Sequence, residues 1–440
     1  MKSLHESRRS FLKWAALAGG VLGLKGLGLS PARAGAIPIL GNLLPTAAEN
    51  TGEVLLSLPE GFHYNVVLRQ GDTMSDGRSS PGGADGMAAF DFNGKIRLVR
   101  NHERGAGQAI GNAALAYDPG AAGGIAMLTV DPKTRLLMES FVCLSGTLNN
   151  CAGGATPWGT WLSCEETNRY IQKQHGYIFE VAANASGEVA GVPLKNMGLL
   201  YPEAVAIDPR TGIAYITMDR NPGGIFRFIP DAYGVLKGPG RVQMLAVGGR
   251  PRYDTRTGQQ GKGKMPVAWV DVTTPTPEAA YRSDSRIAYR EGLARGGATF
   301  ASPEGMWHSR TSVFFSCTGG GDKFLGQIWE LHLEKDNQSL ELIYESADAR
   351  QLDSPDNICA TPSGNNLIVC EDGSGAEYLH LLRRDGSHIS RLAQNIVRGF
   401  EHSEWAGACF SPDGKTLFAN LQGPSVTFAI WTDHWQTIDS

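Results

Sequence analysis

Apolar and polar residues alternate along this chain in short runs of about five, and Gly, Asn, Asp or Ser interrupts each run in pairs. The stretch "YPEAVAIDPRTGIAYITMDR" (201–220) shows the unit: an acid, an alternating run, a turn, a second run, and a second acid at Asp219. Alternation with period two predicts strands half-buried on one face, and two runs around such a turn predict a β-hairpin. The unit recurs as "ADGMAAFDFNGKIRLVRNHE" (84–103), "SPEGMWHSRTSVFFSCTGGG" (302–321), "SPDNICATPSGNNLIVCEDG" (354–373) and "SEWAGACFSPDGKTLFANLQG" (403–423). A further copy, "CAGGATPWGTWLSCEETN" (151–168), lacks the leading acid but ends on Cys164, Glu165 and Glu166. Most copies are followed by a second hairpin-like pair, such as "GQIWELHLEKDNQSLELIYES".

Two hairpins make a four-stranded sheet, and repetition at about fifty residues with no long helical pattern predicts an all-β, six-bladed β-propeller. A wider gap between the third and fourth copies predicts a long insertion at about 230–300. The segment "EGFHYNVVLRQGD" (60–72) is expected to supply a strand that closes the ring against the last blade.

In a propeller the first strand of every blade lines the central channel, so acids in register at the strand ends converge on one axial pocket. A single such acid would cap a turn or pair with an arginine. Five or six facing one another repel unless cations lie between them. Glu203, Glu304, Asp356, Asn357, Glu371 and Glu404 offer hard oxygen donors suited to calcium, magnesium or ferric iron. Cys164 would add a thiolate if it faces the pocket and would be an ordinary core residue if it does not. Glu103 and Glu166 stand near the same mouth.

Composition narrows the picture. With 440 residues the chain needs several domains or a repeating architecture, and Gly 56 and Pro 23 beside 19% charged residues indicate many tight turns. A net charge of −4 and no basic run with interleaved aromatics argue against a nucleic-acid surface. Arg8 and Arg9, followed by Phe11-Leu12-Lys13 and a Gly-rich apolar stretch, match a twin-arginine export signal. A small-residue cleavage site at Ala32-Arg33-Ala34 then places a cleavable signal at 1–34 and a single propeller domain at 35–440. The expected location is periplasmic or secreted, reached through the twin-arginine machinery without stable membrane insertion. Seven cysteines leave at least one outside any internal disulfide, and Cys359 and Cys370 flank one turn symmetrically enough to face each other.

The motifs "VRNHE", "NCAGGATPWGTWLSCEETN", "EAVAIDPRTGIAYIT", "PEGMW", "SPDN", "CEDG" and "SEWAGACFSPDGKTLFANLQ", in this order from about residue 85 onward, resemble the PhoX-type alkaline phosphatases. The resemblance implies an exported six-bladed propeller that hydrolyses small phosphomonoesters at an axial cluster of thiolate-bridged ferric iron and calcium. It implies Cys164 as the iron-bridging thiolate, Glu203 and Glu304 as iron-side or shared carboxylates, and Asp356, Asn357, Glu371 and Glu404 as mainly calcium ligands. Three positions depart from the pattern. Ser302 stands where the family carries a phosphate-holding arginine, Pro202 where it tends to have histidine, and Met218 where an acid is common.

No GxSxG or other nucleophile arrangement is present, so a metal-activated oxygen is the expected nucleophile. His102, beside Glu103, is the histidine of most interest as a catalytic candidate, although a lone loop histidine is more often a hydrogen-bonding rim residue than a general acid. Ser302 marks the altered phosphate site, and Lys323 or Arg220 could replace the missing cation. A calcium-dependent hydrolase of other esters or lactones, and a non-catalytic metal-stabilised binding protein, are the alternatives.

Overall fold

The computed structural model describes residues 40–440 except residue 336. The expected export signal lies outside the described residues. The fold is all-β and propeller-like. The strands Ala84–Phe92, Asn150–Ala155, Pro202–Ile207, Pro303–Ser309, Pro355–Ala360 and Trp405–Phe410 each begin a sheet. Each lies against the next, and the last lies against the first, so they form a closed ring. From each, antiparallel neighbours run outward in chain order.

The sheets differ at their outer edges. The Asn150 sheet has three strands. The Trp405 sheet takes its outer strand from the chain's beginning: His63–Arg69 pairs with Val426–Trp431. That is the closure expected from residues 60–72, and it ties the two ends of the domain together. Gly240–Val247 is the ordinary fourth strand of the Pro202 sheet, so the excursion starts later than 230. Its strand Met265–Val272 pairs with Gly240–Val247 on one side and Ser339–Glu345 on the other, joining two sheets. Its helices Glu278–Ser283 and Ile287–Ala294 follow, and Tyr281, fully buried, donates to the Thr167 carbonyl at 2.7 Å.

Strand alternation puts the apolar side chains between sheets. One buried cluster joins Cys359, Ile368 and Leu379 to Trp405, Leu417 and Phe428 of the next sheet. Another joins Leu162 and Ile178 to Val205, Ile216 and Phe226, and a third joins Phe418 and Ala429 to Ile96 and Leu98. Each large side chain buried in this way contributes about 1.5–3 kcal/mol. The Asn93-Gly94 turn has φ of 54° and 72°, the left-handed pair that a two-residue hairpin needs.

All seven cysteines are free. Cys359 and Cys370, symmetric about their turn, do not face each other, because the hairpin register sets Cys359 opposite Ile368, two positions short of Cys370.

Candidate metal centre

One irregularity repeats in all these innermost strands. Their register against the second strand shifts between Ala84 and Met87, Asn150 and Gly153, Pro202 and Val205, Pro303 and Met306, Pro355 and Ile358, and Ala406 and Cys409. A β-bulge inserts one residue and re-aims its side chain. The first inserted residues are Asp85, Cys151, Glu203, Glu304 and Asp356, with Gly407 in the sixth strand. Directly before four of the shifts the backbone turns left-handed at a non-glycine residue, Asn149, Tyr201, Ser302 and Ser354, with φ of 49°, 55°, 47° and 56°.

Small residues follow the inserted ones and let neighbouring strands approach. A Cβ on Gly86 would lie 2.5 Å from Ala152 Cα, and one on Gly305 would lie 2.6 Å from Asn357 Cα. This closeness brings the side chains together. Ligand atoms of Asp85, Glu103 and Cys151 lie within 4.8 Å of one another, as do those of Cys151, Glu166 and Glu203, and those of Glu203, Glu304 and Asp356. The three groups share Cys151 and Glu203, so they form one continuous arc. Cys151 Sγ donates to Glu166 Oε2 at 2.9 Å. Gln422 Nε2 donates to Asp85 Oδ2 at 2.8 Å and Glu103 Oε2 at 2.7 Å. Asn357 Nδ2 donates to Asp356 Oδ1 at 2.9 Å.

The electrostatics are adverse to the bare protein. Burial, then Glu103 and Asp356, pushes the Asp85 carboxyl well above the usual range. Burial, then Asp372, Asp356, Asp85 and Glu103, does the same to Glu404, whose carbonyl accepts from the backbone N–H of Gln422, the residue that bonds Asp85 and Glu103. The Cys151 thiol is raised by burial and by Glu103, Glu166 and Glu203. At an effective dielectric of about 20, two like charges that close cost about 3 kcal/mol. The arrangement can do one thing chemically that water-exposed acids cannot: it can hold several cations side by side.

The family model of alkaline phosphatase PhoX matches residues 43–425. The chain belongs to the PhoX family. It is therefore a phosphoric ester hydrolase. The PhoX of Pseudomonas fluorescens, solved in complex with vanadate, a transition state analogue, superposes with a TM-score of 0.67 at 16% identity over 89% of this chain and 98% of that one. A gluconolactonase from Xanthomonas campestris aligns at a TM-score of 0.44 and 11% identity over 92% of this chain and 99% of that one. No curated protein matches the chain.

Within this PhoX chain the expected ligands divide by strand register. Glu103, Glu166, Glu203, Glu304 and Asp356 come together on the axis, with Asn357 bonded to Asp356 and the Glu404 carbonyl bonded to the Gln422 N–H. Cys164 does not join them. It packs fully buried among Leu162, Ile178 and Val205. Its strand position is the one that Asn101, Thr217 and Ser316 hold in their sheets. From there Asn101 donates to the Cys151 carbonyl at 2.8 Å and Thr217 to the Glu304 carbonyl at 2.6 Å, one layer behind the axis. The thiol that faces the carboxylates is Cys151.

Glu371 also turns away. Its oxygens accept from Asp353 N at 2.7 Å and Tyr378 N at 3.1 Å, as Glu165 accepts from Gly176 N at 2.8 Å and Tyr177 N at 3.1 Å. His102 has the same outward position. Its Nδ1 meets the Gly82 carbonyl at 3.0 Å and its Nε2 meets Arg100 at 3.3 Å, and burial then Arg100 holds it well below the usual histidine range. Ser302 lies at the mouth, where its N–H donates to the Arg220 carbonyl at 3.0 Å. Lys323 is solvent-exposed on the loop after the Ser312–Cys317 strand.

Sequence reasoning missed two members of the arc as ligands, Asp85 and Cys151. The signal was there: Asp85-Gly86, Cys151-Ala152, Glu203-Ala204 and Glu304-Gly305 all pair a donor with a small residue at the start of a hairpin.

Proposed function

We propose that the chain is an exported, six-bladed metallophosphatase that hydrolyses small phosphomonoesters at the axial arc. The observation that carries this is the convergence of Asp85, Cys151, Glu203, Glu304 and Asp356 from successive inner strands. Family membership supplies the reaction class.

The donor set fits the metals expected. Glu103, Glu166, Glu203, Glu304, Asp85 and Asp356 are hard oxygen donors suited to calcium and ferric iron, and the Cys151 thiol beside them suits iron and not calcium. Bound there, the cations would neutralise phosphoryl oxygens and supply an activated water as nucleophile. The chain's own part is positional. Gln422 fixes the Asp85 and Glu103 carboxylates, Asn357 orients Asp356, and Asn101 and Thr217 pin the bulged backbone from behind. Ser302, uncharged, gives the mouth a hydroxyl where the family resemblance places a cation.

Export by the twin-arginine route, a periplasmic or secreted location and the absence of a nucleic-acid partner complete the proposal. Among the described residues no helix is long and apolar enough to cross a membrane. The test is hydrolysis of p-nitrophenyl phosphate by protein purified without chelator, alongside elemental analysis. Turnover that chelator abolishes and metal restores is the expected result. Iron and calcium present without any turnover, together with hydrolysis of a lactone or aryl ester, would replace this proposal with the alternative hydrolase.

A further inference from the structure

A phosphomonoester is a dianion, and the oxygens that face outward from a metal-filled arc need donors from the protein. The strand end that carries Tyr201 and Glu203 holds a guanidinium suited to that task. Arg220 follows Asp219 at the end of the second strand of its sheet and is half-buried. Its Cζ stands 3.1 Å over the centroid of the Tyr201 ring. Its Nε donates to Ser285 Oγ at 3.0 Å, and its Nη1 donates to the Asp219 carbonyl at 3.2 Å. These two bonds use two of the fork's five N–H donors and fix its plane.

The acceptors in both bonds are neutral, a hydroxyl and a backbone carbonyl. The Arg220 carbonyl accepts from Ser302 N at 3.0 Å, which holds the arginine at the strand ends where Glu203 and Glu304 begin their sheets. Tyr201 itself is locked at a left-handed φ of 55° immediately before Pro202 and Glu203, so the platform under the arginine is part of the bulge that aims the metal-side carboxylate. Asn221, next in the chain, lines a polar cavity of about 260 Å³ together with the Asp254–Arg256 ion pair, Ala301, Gly319 and Phe324.

We infer that Arg220, laid flat on Tyr201 and braced by Ser285 of the excursion, binds the outward oxygens of the substrate phosphate. This rests on the phosphatase proposal for its substrate but not for its test. In protein purified without chelator, Arg220→Ala should raise KM for p-nitrophenyl phosphate and the inhibition constant for inorganic phosphate by about 10-fold to 100-fold. Metal content should be unchanged. Arg220→Lys, which keeps the charge and loses the fork, should recover part of the affinity.

Calorimetric binding of inorganic phosphate separates the two ideas. Wild-type protein that binds phosphate through Arg220 without turning over ester would remove the phosphatase proposal and leave this one standing. Turnover with phosphate affinity unchanged, within twofold, in both variants would overturn the role of Arg220. Should Arg220→Ala not fold, Arg220→Gln, which keeps a planar polar head without charge, takes its place with the same expected loss.

Discussion

Replacing each of two cysteines by alanine separates a ligand from a core residue. Cys164 lies fully buried among Leu162, Ile178 and Val205. Removing its sulfur costs one buried heavy atom and a small cavity, about 1 kcal/mol. That cost is the same with or without metal. Cys151 is also buried, but its Sγ lies within 4.8 Å of Glu166 and Glu203 oxygens and, in a second group, of Asp85 and Glu103 oxygens. Losing a ligand shared by two groups should weaken metal binding by at least 100-fold. At a metal concentration of 100 times the original Kd, a 100-fold weakening removes about 2.3 of the about 2.7 kcal/mol of binding-linked stability.

The readout is the difference between thermal midpoints with metal and with chelator, together with iron per chain and p-nitrophenyl phosphate turnover. Wild type and Cys164→Ala should show the same large difference. Cys151→Ala should lose most of it, along with iron and turnover, while its midpoint in chelator stays near wild type. The reasoning is refuted if Cys151→Ala keeps iron and its chelator response while Cys164→Ala loses both.

Other consequences follow from the same geometry. Gly305→Ala would set a Cβ 2.6 Å from both Asn357 Cα and the Asp356 carbonyl oxygen, so adjacent inner strands must separate. It should cost roughly 1–3 kcal/mol or more and lower metal content together, seen as a lower midpoint and fewer ions per chain. Glu371→Gln should destabilise by roughly 1–2 kcal/mol through the Asp353 and Tyr378 amides while leaving metal content intact, and lost metal would return Glu371 to the ligand set. Glu377 is held at about 9, against an ordinary 4.5, chiefly by burial. A carboxyl raised on folding contributes stability that is complete below about pH 4.5 and declines as pH climbs toward 9. Glu377→Gln should therefore be more stable than wild type by a few kcal/mol at pH 9 and by much less at pH 5. Parallel midpoint-against-pH curves for the two proteins would show that the carboxyl is solvated.

The sequence carried the architecture because its signals are local. Each hairpin is written by alternation around a turn such as Asn93-Gly94, and the closing strand His63–Arg69 has the same pattern before the first copy begins. It carried the existence of the axial site because acids recur at one end of the hairpins. It did not carry which of two adjacent residues looks inward, and that decided the ligands. Glu165 and Glu166 are neighbours, yet one gathers backbone amides and the other bonds Cys151. Opposite faces of a strand differ by a single step of register, and an inserted residue changes that step. The bulges are invisible to period-two counting, so the copy at 151–168, aligned on its terminal acids, gave Cys164 the ligand's place. Aligned instead on the donor that precedes a small residue, Cys151-Ala152 falls on Glu203-Ala204 and Glu304-Gly305, and the apparently missing leading acid is a thiol. A strand that must bring its side chain to a crowded axis needs a partner small enough to let the next strand in. The small residue therefore marks the inward position more reliably than the acid does.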